Sequence, residues 1–167
     1  MYVSFIFIAV FIGYSMGVAP VVGFNYGAGN HSELKNVYGK SKNIIFVTCL
    51  GMFILSEILS TPLAKLYVGY DDNLMKLTEN AFRIYSVSFL IVGINIFSSA
   101  FFTALNNGKV SAIISFTRTF AFQVIIVMVL PLIFGINGIW WATAVAETLT
   151  LFISVCFLVR QKNGYGY

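Results

Sequence analysis

Five long apolar stretches, separated by short polar ones, dominate the pattern along the chain. They cover about residues 2–24, 43–66, 82–105, 110–134 and 136–159. A helix that crosses a bilayer needs about 20 mostly apolar residues, and none of these stretches alternates in polarity as a membrane β-strand would. The pattern therefore predicts an all-α membrane protein with five transmembrane helices.

The polar stretches carry residues that are typical of turns. Glycine and asparagine cluster at residues 27–30, 69–73, 106–108 and 135–138. The last two clusters are so short that the helices on either side must be antiparallel neighbours. We expect residues 25–42 and 67–81 to be short loops, the first with an interfacial helical turn for which Ser32 is the predicted N-cap.

The composition assigns most of the chain to a lipid environment. Of its 167 residues, 59% are hydrophobic and 10% are charged, and the mean hydropathy is +0.88. An ordinary soluble domain has about 25% charged residues. The basic residues form no dense patch, which argues against a nucleic-acid partner.

No residue pattern indicates an enzyme or a metal site. Cys49 and Cys156 both lie in apolar runs, where lone cysteines are usually small core residues. His31, the single histidine, lies in a polar turn and is expected to be solvated. The sequence contains no nucleotide-binding fingerprint and no recognisable nucleophile–base arrangement, so we predict neither catalysis nor a bound cofactor.

The basic residues are distributed unequally between the two predicted faces of the membrane. The turns after the first and third spans and the C-terminal tail carry six of them: Lys35, Lys40, Lys42, Lys109, Arg160 and Lys162. The opposite face carries three. Cytoplasmic loops hold the excess of Lys and Arg, so we predict a multi-pass protein of the plasma (cytoplasmic) membrane with a cytoplasmic C-terminus.

This orientation leaves Met1 outside the cell, at the head of an uncharged apolar run with no basic signal-peptide region. We interpret the chain as beginning partway through a larger membrane protein. A missing upstream span would explain such an N-terminus.

Small residues recur along the first span, at Gly13, Gly17, Pro20, Gly23 and Gly27. Gly13 and Gly17 form a G-x-x-x-G pattern, which lets another helix approach closely. Pro20 is expected to kink or break the helix. Tight packing is the favoured interpretation, and a hinge beside a transport cavity is the alternative.

Ionisable residues inside a bilayer are costly and are candidates for function. Measured from the turn at Gly135, Arg118 lies about 24 Å deep and Glu147 about 16 Å deep on adjacent antiparallel spans. The two long side chains can bridge this offset. A buried ion pair that fixes the helix register is the favoured interpretation, with a role in proton or substrate binding, or separate partners elsewhere, as alternatives.

Glu57 has no obvious basic partner at its depth. It is expected either to meet polar groups of the third span, such as Asn95, Ser98 or Ser99, or to face a central cavity and take up a proton. Asn95 and Gln123 are expected to form hydrogen bonds between helices or to line that cavity. Some of the 17 Phe and nine Tyr residues could bind flat organic cations by stacking and cation–π contact.

Several motifs, in order along the chain, resemble the bacterial branch of the multidrug and toxic compound extrusion (MATE) transporters. They are GVAPVVGFNYGA at 17–28, FTALNNG at 102–108, Arg118-Thr119, Leu130-Pro131, GINGIWWA at 135–142, and Ala146-Glu147. Each motif alone is weak, but together they extend across nearly the whole chain.

The resemblance implies a twelve-helix protein with two lobes, of which the five spans are helices eight to twelve. The N-terminal lobe and the first helix of the C-terminal lobe would be absent. The whole protein would exchange inward H⁺ or Na⁺ for small amphipathic organic substrates by alternating access. Its partners would be membrane lipid and the remaining lobe, and its only cofactor the coupling ion.

The candidate substrate or ion pathway then includes Glu57, Asn95, Arg118 and Glu147. Two other readings stay open. One is a lipid-linked precursor flippase or polysaccharide exporter of related fold, which would need a basic cavity for which Arg118 is the single candidate. The other is a non-transporting membrane subunit or a decayed gene product.

Overall fold

The computed structural model describes residues 2–167, with side chains described from Ser4 onward, and this part of the chain is helical without strands. The helices are α1 (Tyr2–Gly27), α2 (His31–Val68), α3 (Asp72–Ser86), α4 (Phe89–Ala104), α5 (Gly108–Phe116), a π-helical turn (Thr117–Phe122), α6 (Gln123–Phe134) and α7 (Ile136–Tyr165). Four helical stretches are long and apolar enough to cross a membrane, or five if α3 and α4 count as one bent span. The predicted all-α membrane protein is confirmed.

Residues 31–42, which were predicted as part of a loop, instead form the first three turns of α2. The helix begins at His31, and its N-cap is Asn30 rather than Ser32. The Asn30 side chain accepts a hydrogen bond from the Glu33 amide at 3.2 Å. Asparagine is as good an N-cap as serine, and the polar residues that follow suit an exposed helical surface.

The prediction of a loop at 67–81 was also wrong for most of its length. Helix α3 begins at Asp72, and the Asp71 carboxylate accepts hydrogen bonds from the amides of Asn73 and Leu74 at 2.9 and 3.1 Å. The segment is strongly amphipathic. It was not recognised because its polar face lowers the hydropathy below that of a membrane span.

The third predicted span is broken between α3 and α4, which meet at an angle of 44°. The hydroxyls of Ser86 and Ser88 donate to the carbonyls of Arg83 and Tyr85, both at 2.7 Å. Serine hydroxyls that bond to nearby carbonyls compete with the helical hydrogen bonds and bend helices. The break therefore needs neither proline nor glycine.

Side-chain contacts show which turns share an end of the bundle. His31 Nδ1 lies 3.0 Å from the Tyr165 carbonyl oxygen, and the Asn107 amide donates to Gln161 at 2.8 Å. The α1–α2 turn, the α4–α5 turn and the C-terminus therefore lie together, at what we call the basic end. At the opposite end, the side chains of Asn80 and Asn137 approach to 3.5 Å.

Helix α4 lies at the centre of the bundle. Its aromatic side chains fill the core together with Phe11 of α1. At Gly93 the backbone passes so close to Phe11 and Cys49 that an added Cβ would lie 2.5 Å from the Phe11 ring and 2.7 Å from the Cys49 sulfur. By contrast, α6 exposes most of its large apolar side chains, as a lipid-facing helix does.

The C-terminal residue packs against the basic end of the core. The Tyr167 ring centroid lies 4.8 Å from those of Tyr38 and Phe101, and its hydroxyl donates to the Leu158 carbonyl at 2.9 Å. Burial raises the pKa of the Tyr167 phenol above its usual range. The hydroxyl therefore stays protonated and remains a donor.

The small residues of α1 differ in their surroundings. An added Cβ at Gly13, Gly17 or Gly27 would meet no described atom within 4 Å, whereas at Gly23 it would lie 3.4 Å from the Ala104 carbonyl oxygen. Helix α1 continues without interruption through Pro20. A break therefore does not occur there, and among these four glycines of α1 only Gly23 serves a close approach to another described helix.

Candidate functional site

Arg118 and Glu147 form an ion pair within the bundle. Arg118 Nε lies 2.8 Å from Glu147 Oε1, and the side chains are 24% and 6% exposed. The pairing that was predicted from helix depth is confirmed. Because a carboxylate so deeply buried is costly without partners, this pair is the most strongly constrained polar feature of the spans.

Arg118 lies in the π-helical turn Thr117–Phe122, which separates α5 from α6. The hydroxyls of Thr117 and Thr119, on either side of Arg118, donate to the carbonyls of Ile113 and Ser115 at 2.6 and 2.8 Å. Single π-helical turns within α-helices occur frequently at functional sites. The π-helical turn could not be predicted from the sequence, since no proline or glycine marks it.

Asn95 of α4 completes the surroundings of the carboxylate. Its side-chain amide donates to Glu147 Oε2 at 2.8 Å and to the Glu147 carbonyl at 2.9 Å. The Ser154 hydroxyl in turn donates to Asn95 Oδ1 at 2.9 Å. Asn95 thus bonds between helices, as predicted, while Ser154 was not singled out. We call Asn95, Arg118, Glu147 and Ser154 the polar network.

A small cavity of about 60 Å³ lies on the α3 side of this network. Four aromatic residues line it together with Ser4 and Ala81: Phe82, Tyr85, Phe89 and Trp140. Tyr85 interacts electrostatically with both Glu147 and Arg118. Within the described chain, the buried Trp140 indole nitrogen has no hydrogen-bond partner.

This aromatic cavity is too small for a drug-sized ligand, which needs roughly 300–1,000 Å³. It offers aromatic faces and lies near a carboxylate. These groups suit one part of a flat cationic or amphipathic molecule. A complete binding site would need further walls.

Glu57 lies apart from the polar network. Its half-buried carboxylate accepts a hydrogen bond from the Ser86 hydroxyl, next to the α3–α4 break. The predicted contact with a polar group of the third span is confirmed, but the partner is Ser86 and not Asn95, Ser98 or Ser99. The prediction treated the third span as one straight helix, whereas the break brings Ser86 against α2.

Hydroxyl groups also join α4 to α5 near the basic end. The Ser99 oxygen lies 2.9 Å from that of Ser111 and 2.7 Å from that of Ser115, and the Thr103 and Ser111 oxygens are 2.7 Å apart. Small hydroxyl residues commonly hold membrane helices together in this way. Gln123 makes a further link, donating to the Thr143 hydroxyl at 3.3 Å.

Within residues 2–167, no group of three or more His, Cys, Asp or Glu side chains lies close enough together to hold a metal ion. The polar groups in the bundle are instead a carboxylate, a guanidinium, an amide and hydroxyls. Such a set binds protons, cations and polar ligand groups by hydrogen bonding and charge.

Long apolar helices that surround a buried charged network are typical of a multi-pass membrane protein, and ionisable groups inside a bilayer are candidates for an ion or substrate pathway. The sequence model of the MatE family matches residues 1–129 of the 167. The chain therefore belongs to the MatE family.

Similar proteins come from bacteria and share 22–24% of their residues with this chain. "Multidrug export protein MepA" is 22% identical in Staphylococcus haemolyticus (strain JCSC1435) over 157 residues and in Staphylococcus aureus (strain MSSA476) over 158. Each match covers 92% of this chain and 33% or 34% of the relative.

"Probable multidrug resistance protein YoeA" of Bacillus subtilis (strain 168) is 24% identical over 170 residues, covering 95% of this chain and 35% of that protein. The chain thus spans about a third of the length of the curated relatives it matches. No solved structure matches it.

Proposed function

We propose that the chain forms part of the C-terminal lobe of a multidrug efflux transporter. In this proposal, a second lobe and one further helix complete the protein. The relatives named for multidrug export support this function. The observation that carries it is the buried Glu147 carboxylate, held by Arg118 and Asn95 beside an aromatic cavity.

The polar network gives a physical basis for coupling export to an inward cation. The Glu147 carboxylate can leave its ion pair with Arg118 and bind a proton or Na⁺ instead when its exposure to water changes. Because Arg118 is partly exposed and on a π-helical turn, its guanidinium is free to shift towards water when the pair opens. We propose that the two lobes rock to expose the network alternately to each side of the membrane.

The aromatic cavity would supply part of the substrate site. Phe82, Tyr85, Phe89 and Trp140 offer faces for stacking, while the second lobe supplies the opposite wall. Amphipathic organic cations fit such surroundings because they combine an apolar body with a charge. The coupling ion would be the single cofactor.

We propose that the basic end faces the cytoplasm, because it carries six of the nine basic residues that were assigned to a face. Single-cysteine variants test this orientation with a membrane-impermeant thiol reagent, once Cys49 and Cys156 are replaced. Asn73→Cys should be labelled in intact cells, and Asn36→Cys only after permeabilisation. The reverse pattern would overturn the orientation.

The proposed activity is tested by efflux from a bacterial strain that lacks its main drug pumps. Cells that express the complete transporter carrying this sequence should accumulate less ethidium than cells with an empty vector. Collapse of the proton and sodium gradients should remove the difference. Equal accumulation, despite normal membrane insertion, would contradict the proposed function.

A further inference from the structure

An apolar groove of about 400 Å³ runs between α2, α4 and α7. Its walls include Ile45 and Phe46 of α2, Ile94 of α4, and Leu151 and Val155 of α7. None of these residues belongs to the polar network. The groove is therefore distinct from the polar network.

The groove has the depth of one membrane leaflet. Along α7 it extends from Leu151 to Val159, and eight helical steps correspond to about 12 Å. Half of a bilayer's hydrocarbon core is about 15 Å thick. Because α7 runs towards the basic end, Val159 lies about 12 Å nearer that end than Leu151 does.

Basic side chains lie along this groove, with Lys42 midway between Tyr38 and Phe46 on α2. Lys42 lines it directly, and Arg160 lines an adjoining groove that shares Val155 and Val159. Both side chains are exposed, and their long stems let the charged groups reach the headgroup level. Among the described residues, no acidic side chain lines either groove.

We propose that this groove binds one acyl chain of an anionic phospholipid, with its phosphate held by Lys42 and Arg160. Basic pockets between transmembrane helices bind anionic lipid headgroups on the cytoplasmic side. The orientation proposed above would place this lipid in the inner leaflet. Lipid binding itself does not depend on the orientation or on transport.

A phospholipid fits these observations better than another helix does. A packed helix would bury Lys42 against apolar side chains and would have to supply its own carboxylate at that level. A phospholipid carries the apolar chain and the anionic group in the required order along the membrane normal.

The test compares phosphatidylglycerol with phosphatidylcholine as additions to the purified protein in neutral detergent. Phosphatidylglycerol should raise the thermal unfolding midpoint at a lower mole fraction than phosphatidylcholine. Lys42→Gln should weaken the apparent affinity for phosphatidylglycerol about fivefold, as expected for one basic group near the surface. Lys40→Gln, on the same helix outside the groove, should leave it unchanged.

A second pair of variants tests the apolar part of the groove. Val155→Trp fills it, whereas Val129→Trp adds the same bulk on the exposed face of α6; both valines are 44% exposed. Only Val155→Trp should abolish the preference for phosphatidylglycerol.

The proposal would be overturned if both lipids raised the unfolding midpoint equally, or if both tryptophan variants kept the same preference for phosphatidylglycerol. Either result would show a nonspecific lipid shell. A change in oligomer size with Val155→Trp, without a change in lipid preference, would identify the groove as a contact between protein helices and would also overturn it.

Discussion

Replacing both Arg118 and Glu147 by leucine should destabilise the protein by clearly less than the sum of the two single replacements. Each single change leaves a charge inside the bundle without its partner, which costs about 3–5 kcal/mol in soluble proteins. The double variant removes both charges, and Asn95 keeps its bond to the carbonyl of residue 147. A double-mutant cycle on unfolding in detergent should therefore show a coupling of about 1–3 kcal/mol.

The matched control is the ion pair between Arg83 and Glu79. It has the same nitrogen–oxygen distance of 2.8 Å, but its side chains are 55% and 22% exposed. Exposed ion pairs contribute about 0–1 kcal/mol to stability. A double-mutant cycle on Arg83 and Glu79 should therefore give a coupling energy no larger than this. Additive losses at Arg118 and Glu147, or equal coupling at both pairs, would show that burial does not determine the strength of the pair.

The Glu57 carboxylate should hold the bend between α3 and α4. Glu57→Leu removes one of the two acceptors of the Ser86 hydroxyl and leaves only the Arg83 carbonyl; a hydrogen bond to a charged group contributes about 1.5–3 kcal/mol. Glu57→Gln keeps a side-chain oxygen and should lose less. Spin labels at Lys76 and Thr103, on either side of the bend, should give a broader distance distribution in the leucine variant alone.

Ser98→Ala provides the control for this experiment, because the Ser98 hydroxyl bonds to the Ile94 carbonyl within α4, away from the bend. It should change the stability slightly and leave the distance distribution narrow. If Glu57→Leu and Ser98→Ala gave the same distribution, the link from α2 would have no part in setting the bend.

The membrane spans could be predicted because lipid requires long apolar runs, whatever the details of packing. The parts of α2 and α3 outside those runs could not, since their helices depend on caps at Asn30 and Asp71 and on an amphipathic surface rather than on hydropathy. The bend at Ser86–Ser88 was hidden for a related reason. Serine bends a helix only where its hydroxyl finds a local carbonyl, and the sequence does not show this.

The ion pair could be predicted because depth follows from helical rise and from one tight turn at Gly135. The other contacts of the polar network depend on how each helix is rotated about its own axis, because that rotation decides which side chains face each other. Asn95 and Ser154 are separated by 59 positions, so nothing local connects them. Glu57 was assigned wrong partners because the prediction placed a straight helix opposite it.

We propose, as the central step of transport, that the buried Glu147 carboxylate couples export to an inward cation. The most direct test of this step is drug efflux by Glu147→Gln in proteoliposomes under an imposed pH or Na⁺ gradient, beside the wild-type protein. The amide is nearly the same size and keeps an oxygen for Arg118, so the fold should persist. We expect gradient-driven efflux to be lost while substrate binding remains; efflux at the wild-type rate would contradict the account.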